Sequence, residues 1–118
     1  MDDRPQFGVE LVRVGDDVAV VALQGEVDIY SAPQFKEVMI QSIDEGAKHI
    51  VVDLAGVTFI DSSGLNVLIA NAAALTRARD RDVAVLVVPH GAVRRVFELT
   101  ALDEVFELVD TLDGSNLA

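Results

Sequence analysis

Hydrophobic positions along this chain follow two alternating rhythms. Residues 18–23, 49–54 and 83–88 are short, nearly unbroken apolar runs rich in Val and Ile, the pattern of strands buried on both faces. Residues 9–14 alternate imperfectly and lead into Gly15-Asp16-Asp17, a hairpin turn that pairs them antiparallel with 18–23. Residues 105–109 alternate more cleanly, as a half-exposed edge strand does. Between the strands the apolar period lengthens to three and four. Phe35, Val38, Met39, Ser42 and Ile43 share one helical face, with Lys36, Glu37 and Gln41 opposite. Ser31 and Pro33 mark the start of that helix, and Gly46 its end. Leu65, Leu68, Ile69, Ala72 and Leu75 recur in a second helix running to about Arg79, where Asp80-Arg81-Asp82 turns the chain. A third helix over 92–100 turns Val93, Val96, Phe97 and Thr100 inward and Arg94, Arg95 and Glu98 outward.

The resulting order is β-β-α-β-α-β-α-β. Strands separated by helices must pair in parallel through right-handed crossovers, and helices between neighbouring strands then stack on one side. The expected fold class is therefore α/β: a mixed sheet, first strand antiparallel and the rest parallel, with helices stacked on one face. Residues 1–118 read as a single domain with its core over about 9–109 and polar tails at each end. No linker or low-complexity tract interrupts it. Leu68, Ile69 and Phe97 are expected in the core, and Ser62 at the surface.

Composition narrows the function classes. In 118 residues, 51% are hydrophobic, which excludes disorder over most of the length. Nine Lys and Arg stand against twenty Asp and Glu, a net charge of −11. A surface this acidic repels nucleic acid and anionic lipid and favours a basic partner. With no cysteine, disulfides, thiol catalysis and thiolate metal sites are excluded. Met1-Asp-Asp-Arg-Pro lacks a signal-peptide profile, and no apolar run approaches the ~20 residues of a membrane span. The expectation is a soluble cytoplasmic domain without nucleic-acid or membrane partners.

The chemistry concentrates where residues 50–60 give way to the second helix. Asp61-Ser62-Ser63-Gly64 stands at the change from strand to helix, and Asp or Ser there serves as the N-cap for the partnerless first-turn amides. A hydroxyl is thus presented at the positive end of a helix, on the carboxyl edge of a sheet, where α/β domains bind ligands and partners. A serine hydrolase would take Ser62 or Ser63 as nucleophile and His90 as base, with His49 at the opposite edge. Asp-Ser-Ser-Gly is not the Gly-x-Ser-x-Gly elbow, however, and a chain this small leaves little material for a pocket. No phosphate-binding Gly-x-x-x-x-Gly-Lys-Ser/Thr run exists. Two distant histidines make no metal site, and Asp28, Asp61 and Asp103 would chelate a cation only if folding gathered them. Two readings of Ser62 stay open on these residues: a plain helix cap, or a modification switch. Phosphate there would add about −1.5 to −2 charge beside Asp61 and Asp28 without unfolding a helix whose dipole favours anions.

Asp61-Ser-Ser-Gly-Leu65 resembles the signature of the STAS domains of bacterial anti-sigma factor antagonists. Gly25-Glu-Val-Asp-Ile-Tyr-Ser-Ala-Pro33 is similar to that family's second-strand loop and first-helix start. Ile50-Val-Val-Asp-Leu54 with residues 57–60 is similar to its central strand, and Val96-Phe-Glu-Leu-Thr-Ala-Leu102 to its third helix. The resemblance implies a non-enzymatic, cofactor-free partner switch. The unmodified protein binds an anti-sigma factor, a serine kinase with a histidine-kinase-like ATPase fold, and so frees the sigma factor. Phosphorylation of Ser62 by that kinase dissociates the complex, and a metal-dependent serine phosphatase resets it. The resemblance further implies a partner-binding surface at Asp28, Asp61, Ser62, Ser63, Gly64 and Asn66. Two departures are visible: Asn66 stands where the family often has Gly, and the chain ends soon after the last strand, where relatives often carry another helix. Related STAS domains serve as modules of transporters or stress-sensing scaffolds, some without a working serine. Here the acceptor serine is intact, which favours free-standing regulation.

Overall fold

Five strands form one sheet in the order β1-β2-β3-β4-β5, as seen in a computed structural model that describes residues 7–77 and 85–112, with side chains for 7–71 and 85–112. The strands are β1 (Gly8–Val14), β2 (Val18–Val27), β3 (His49–Ile60), β4 (Val85–Val87) and β5 (Glu107–Val109). Three helices connect them: α1 (Ala32–Asp44), α2 (Ser62–Arg77) and α3 (Ala92–Leu99). β1 pairs antiparallel with β2, and every later pairing is parallel. Because successive strands are neighbours, each crossover steps the same way, and same-handed steps place their helices on one side. The core agrees. Phe35 and Met39 of α1, Leu65 and Leu68 of α2 and Phe97 of α3 pack with Val21, Leu23, Ile50, Val52, Leu54 and Leu86 in a single cluster. Among the described residues, the opposite face gathers the strand valines Val20, Val51 and Val87, flanked by Val18, Val109 and Leu112.

Several elements differ from the periodicity reading. β2 does not stop at Leu23 but continues to Val27, and β3 does not stop at Leu54 but continues to Ile60. Between Ala22 and Val27 the paired register advances from Asp53 to Ile60, so β3 carries two extra residues, one at each of two irregularities. Such bulges keep a pair together while twisting it. Asp53 Oδ1 accepts from the Ala55 amide at 3.0 Å within the first. Gly56 allows close approach there, since a Cβ at that position would lie 3.1 Å from the Leu23 carbonyl oxygen. Gly8, expected in the polar N-terminal tail, already belongs to β1.

Ile69 is corrected outright. It is 44% exposed, while Leu65 and Leu68 are buried. Thr100 is exposed as well, its hydroxyl donating to the Val96 carbonyl at 2.7 Å. Arg94 is not turned fully outward: it is half-buried and donates to both the Val88 carbonyl and Asp110 Oδ1 at 2.7 Å. The last strand is shorter than expected because the chain first makes a 3-10 turn over Leu102–Glu104, entered through Ala101 at φ 60°. Phe106 then inserts into the core, and pairing begins only at Glu107. The N-terminal tail before Phe7, the Asp80-Arg81-Asp82 turn, the beginning of the 83–88 run, the tail beyond Leu112 and the side chains of Ala72 and Leu75 lie outside the described residues. Among those described, no helix is long and apolar enough to cross a membrane.

Candidate partner-binding site

The two bulges in β3 have a positional effect. They bring Val27 opposite Ile60 at the ends of the parallel pair, and the Asp61 amide donates to the Val27 carbonyl at 3.2 Å. Asp28 and Asp61, the next residue on each strand, therefore emerge side by side at the carboxyl edge of the sheet. This adjacency could not be read from the spacing alone.

Asp61 is the helix cap. Its Oδ1 accepts from the Ser63 amide at 2.9 Å, and its carbonyl accepts from the Leu65 amide at 3.1 Å. This satisfies first-turn donors that otherwise lack partners. Of the two capping residues allowed by sequence, Asp61 takes the role, so Ser62 is relieved of it. Ser62 is the first residue of α2; it is exposed, and its hydroxyl makes no hydrogen bond among the described residues. Ser63 is half-buried. Gly64 is buried, and a Cβ there would lie 2.6 Å from Val27 Cγ1 and 2.8 Å from Ile60 Cγ1. Only glycine lets the helix sit this close to the two strand ends. Asn66 is exposed one turn beyond Ser62, and Ile69 follows on the same side. These residues form a stripe with the periodicity of one helix face.

Asp28 is embedded in its own turn. Its Oδ1 accepts from the Tyr30 amide at 2.9 Å and the Ser31 amide at 3.1 Å, with the Ser31 hydroxyl oxygen 3.2 Å away, and its carbonyl accepts from the Ala32 amide at 2.8 Å. The Ser31 hydroxyl also accepts from the Asp28 amide at 2.9 Å and donates to the Glu26 carbonyl at 2.8 Å. Ser31 therefore begins α1 through its carbonyl, which accepts from Gln34 and Phe35, and not through a side-chain cap. Two large apolar residues are held outward by this turn, Ile29 at 67% and Tyr30 at 84% exposure. Polarity gave no sign of them, since an exposed turn is expected to be polar. The signal that was available is the Asp-x-x-Ser spacing of a self-bonded turn.

The serine and the histidine weighed for hydrolysis are not assembled. His90 lines a shallow cleft with Leu54, Val57, Thr58, Val88 and Val93, and Ser62 is not part of it. The exposed His90 ring instead approaches Asp110, at 3.5 Å. Asp103 sits in the 3-10 turn after α3, and among the described residues no three acidic or histidine side chains are grouped as a metal site would require.

The model of the STAS domain family matches residues 11–115, nearly the whole chain. The chain belongs to the STAS domain family. Among its curated relatives, an anti-sigma-B factor antagonist of Staphylococcus epidermidis is 31% identical over 93 residues, covering 79% of this chain and 84% of the relative. The crystal structure of an anti-sigma factor antagonist from Mycobacterium paratuberculosis superposes with a TM-score of 0.84 at 29% identity, over 92% of this chain and 90% of that one. The antagonist SpoIIAA in its unphosphorylated form superposes with a TM-score of 0.71 at 22% identity, over 93% and 94% of the two chains. That last likeness establishes the shared fold.

Proposed function

We propose that this protein is an anti-sigma factor antagonist that works by partner switching. Its unphosphorylated form binds an anti-sigma factor serine kinase with a histidine-kinase-like ATPase fold, which releases the sigma factor. The observation that carries the reading is the Ser62 hydroxyl, exposed in the first turn of α2 and without a hydrogen-bond partner among the described residues. The antagonist names of the staphylococcal relative and the mycobacterial structure support the regulatory role.

The kinase transfers the γ-phosphoryl of ATP to Ser62 Oγ. The bond to the leaving ADP breaks, the Oγ–P bond forms, and the hydroxyl proton passes to a base on the kinase. The product places about −1.5 to −2 charge at the start of a helix, where the dipole favours it, so the fold survives. The same charge lies beside the Asp61 carboxylate on the docking edge. An interface closed over it would bury an unpaired anion, which costs several kcal/mol, and the complex separates. A serine phosphatase restores the hydroxyl. Asp61, Ser63 and Asn66 complete the surface, with Gly64 acting from beneath it: Asp61 fixes the start of the helix, buried Gly64 seats it against the strand ends, and Asn66 extends the exposed stripe.

The test combines the protein with its cognate anti-sigma factor kinase and ATP, maps the phosphosite by mass spectrometry, and measures affinity by calorimetry. Phosphate is expected on Ser62. Ser62→Ala is expected to bind the kinase as the wild type does and to accept no phosphate, while Ser62→Asp folds but binds at least about tenfold more weakly, a loss of about 1.4 kcal/mol. Equal binding by all three forms would place Ser62 outside the interface and defeat the switch. Equal weakening of both variants would make the serine a contact and not a charge switch.

A further inference from the structure

The turn after β2 spends its polar groups on itself and its apolar groups on solvent. Ile29 and Tyr30, 67% and 84% exposed, are the only residues between Asp28 and Ser31, and the hydrogen bonds around them leave the turn little freedom. Exposing a large aliphatic and an aromatic side chain on a fixed turn gains nothing for the fold. Aromatic residues held rigidly at a surface are the residues that dominate interface energies, because they bury much area for little lost conformational freedom. The Val27–Ile60 register places this turn beside the one that bears Ser62.

We propose that Ile29 and Tyr30 form the apolar anchor of the kinase-binding surface, and that Asp28 is a positioning residue that holds them out. This rests on the antagonist reading above and names the residues that give the Ser62 edge its affinity. Charge specifies the occupant. Glu26, Asp28 and Asp61 lie at the ends of the two strands and in their turns, and no Lys or Arg occurs from Val14 to Gln34 or from His49 to Thr76. The fitting partner is therefore a kinase face with an apolar slot rimmed by Lys and Arg. The rim steers the encounter and the slot retains it. Phosphate on Ser62 adds charge beside the anchor without moving it, so release follows from repulsion at the rim and not from loss of the anchor.

The experiment uses the full chain and the kinase that phosphorylates Ser62, with affinities from calorimetry and folding checked by circular dichroism. Tyr30→Ser with Ile29→Ser is expected to stay folded, since both side chains are exposed, and to raise Kd at least about tenfold. Asp28→Asn keeps an oxygen that accepts from the Tyr30 and Ser31 amides, so its Kd is expected within about threefold of wild type. Asp28→Ala loses that acceptor and is expected to bind about as weakly as the double variant. Wild-type affinity is expected to fall with ionic strength. If the wild type binds and the double variant binds within about twofold of it, the anchor is elsewhere and the proposal is overturned. If Asp28→Asn weakens binding as much as Asp28→Ala, the carboxylate charge itself touches the partner and the positioning role is overturned. If the wild type binds no anti-sigma kinase, the antagonist reading itself fails and the anchor fails with it.

Discussion

Two aspartate–serine turns stand side by side at the carboxyl edge of this sheet, and they treat their serines in opposite ways. In each, the aspartate Oδ1 accepts from the amide two residues on, Tyr30 after Asp28 and Ser63 after Asp61, both at 2.9 Å. The difference is where the helix begins. After Asp61 it begins at once, so Ser62 lies on the first helical turn and faces outward. After Asp28 three residues intervene before α1 starts at Ala32, so Ser31 falls inside the turn and is only 7% exposed, its hydroxyl bonded on both sides. A serine next to an aspartate is therefore not in itself a modification site. The number of residues between the aspartate and the helix decides whether the hydroxyl braces the fold or meets a partner.

The support beneath the second turn is where the comparison breaks most strongly. Leu68 is buried under α2, and Leu68→Ala is expected to cost about 2–5 kcal/mol in chemical denaturation. The neighbouring Ile69→Ala, at an exposed position, is expected to cost below ~0.5 kcal/mol. Comparable losses would show that the face of α2 had been misplaced. Gly64→Ala is expected to cost about 1–3 kcal/mol, because the new Cβ would press on Val27 and Ile60 at 2.6 and 2.8 Å. It should also lower phosphorylation of Ser62, since the helix start must tilt away from the strand ends. A neutral Gly64→Ala in thermal denaturation would mean that the two turns are not rigidly joined.

The sequence disclosed the alternation of strands and helices because buried strands and one-sided helices carry different apolar periods, and nothing competes with that signal in residues 18–23, 35–43 or 49–54. It did not disclose the last turns of β2 and β3. Gln24-Gly25 and Gly56 look like strand ends, whereas here glycine accommodates bulges that carry pairing onward to Val27 and Ile60. Ile69 was misplaced because a helix packed on a sheet buries a stripe, and a residue beside Leu68 falls just outside it. Phe106 could not be told from its strand, since a residue entering the core from an irregular segment has the same composition as one in a strand. At the site, Asp61-Ser62 was legible because a polar break between two apolar runs has few structural uses. The embedding of Asp28 was not, because it depends on Ser31, a residue that the helix-start pattern had already explained.

The finest test sets the two serines against each other. Ser31→Ala removes a buried hydroxyl that accepts from Asp28 and donates to Glu26, and losing these two hydrogen bonds is expected to cost about 1–3 kcal/mol. Ser62→Ala removes a hydroxyl with no hydrogen bond among the described residues, on an exposed helical position. It is expected to change stability by less than ~0.5 kcal/mol. Asp61→Ala supplies the internal scale: loss of the cap to Ser63 is expected to cost about 0.5–2 kcal/mol. All three are read from the same urea titration, with midpoints compared at a common slope. A loss above ~1 kcal/mol in Ser62→Ala would mean that its hydroxyl holds the helix start, and a residue needed for that would be a poor place for a phosphate. A loss confined to Ser31→Ala and Asp61→Ala would leave Ser62 as the group on this edge that the fold does not use.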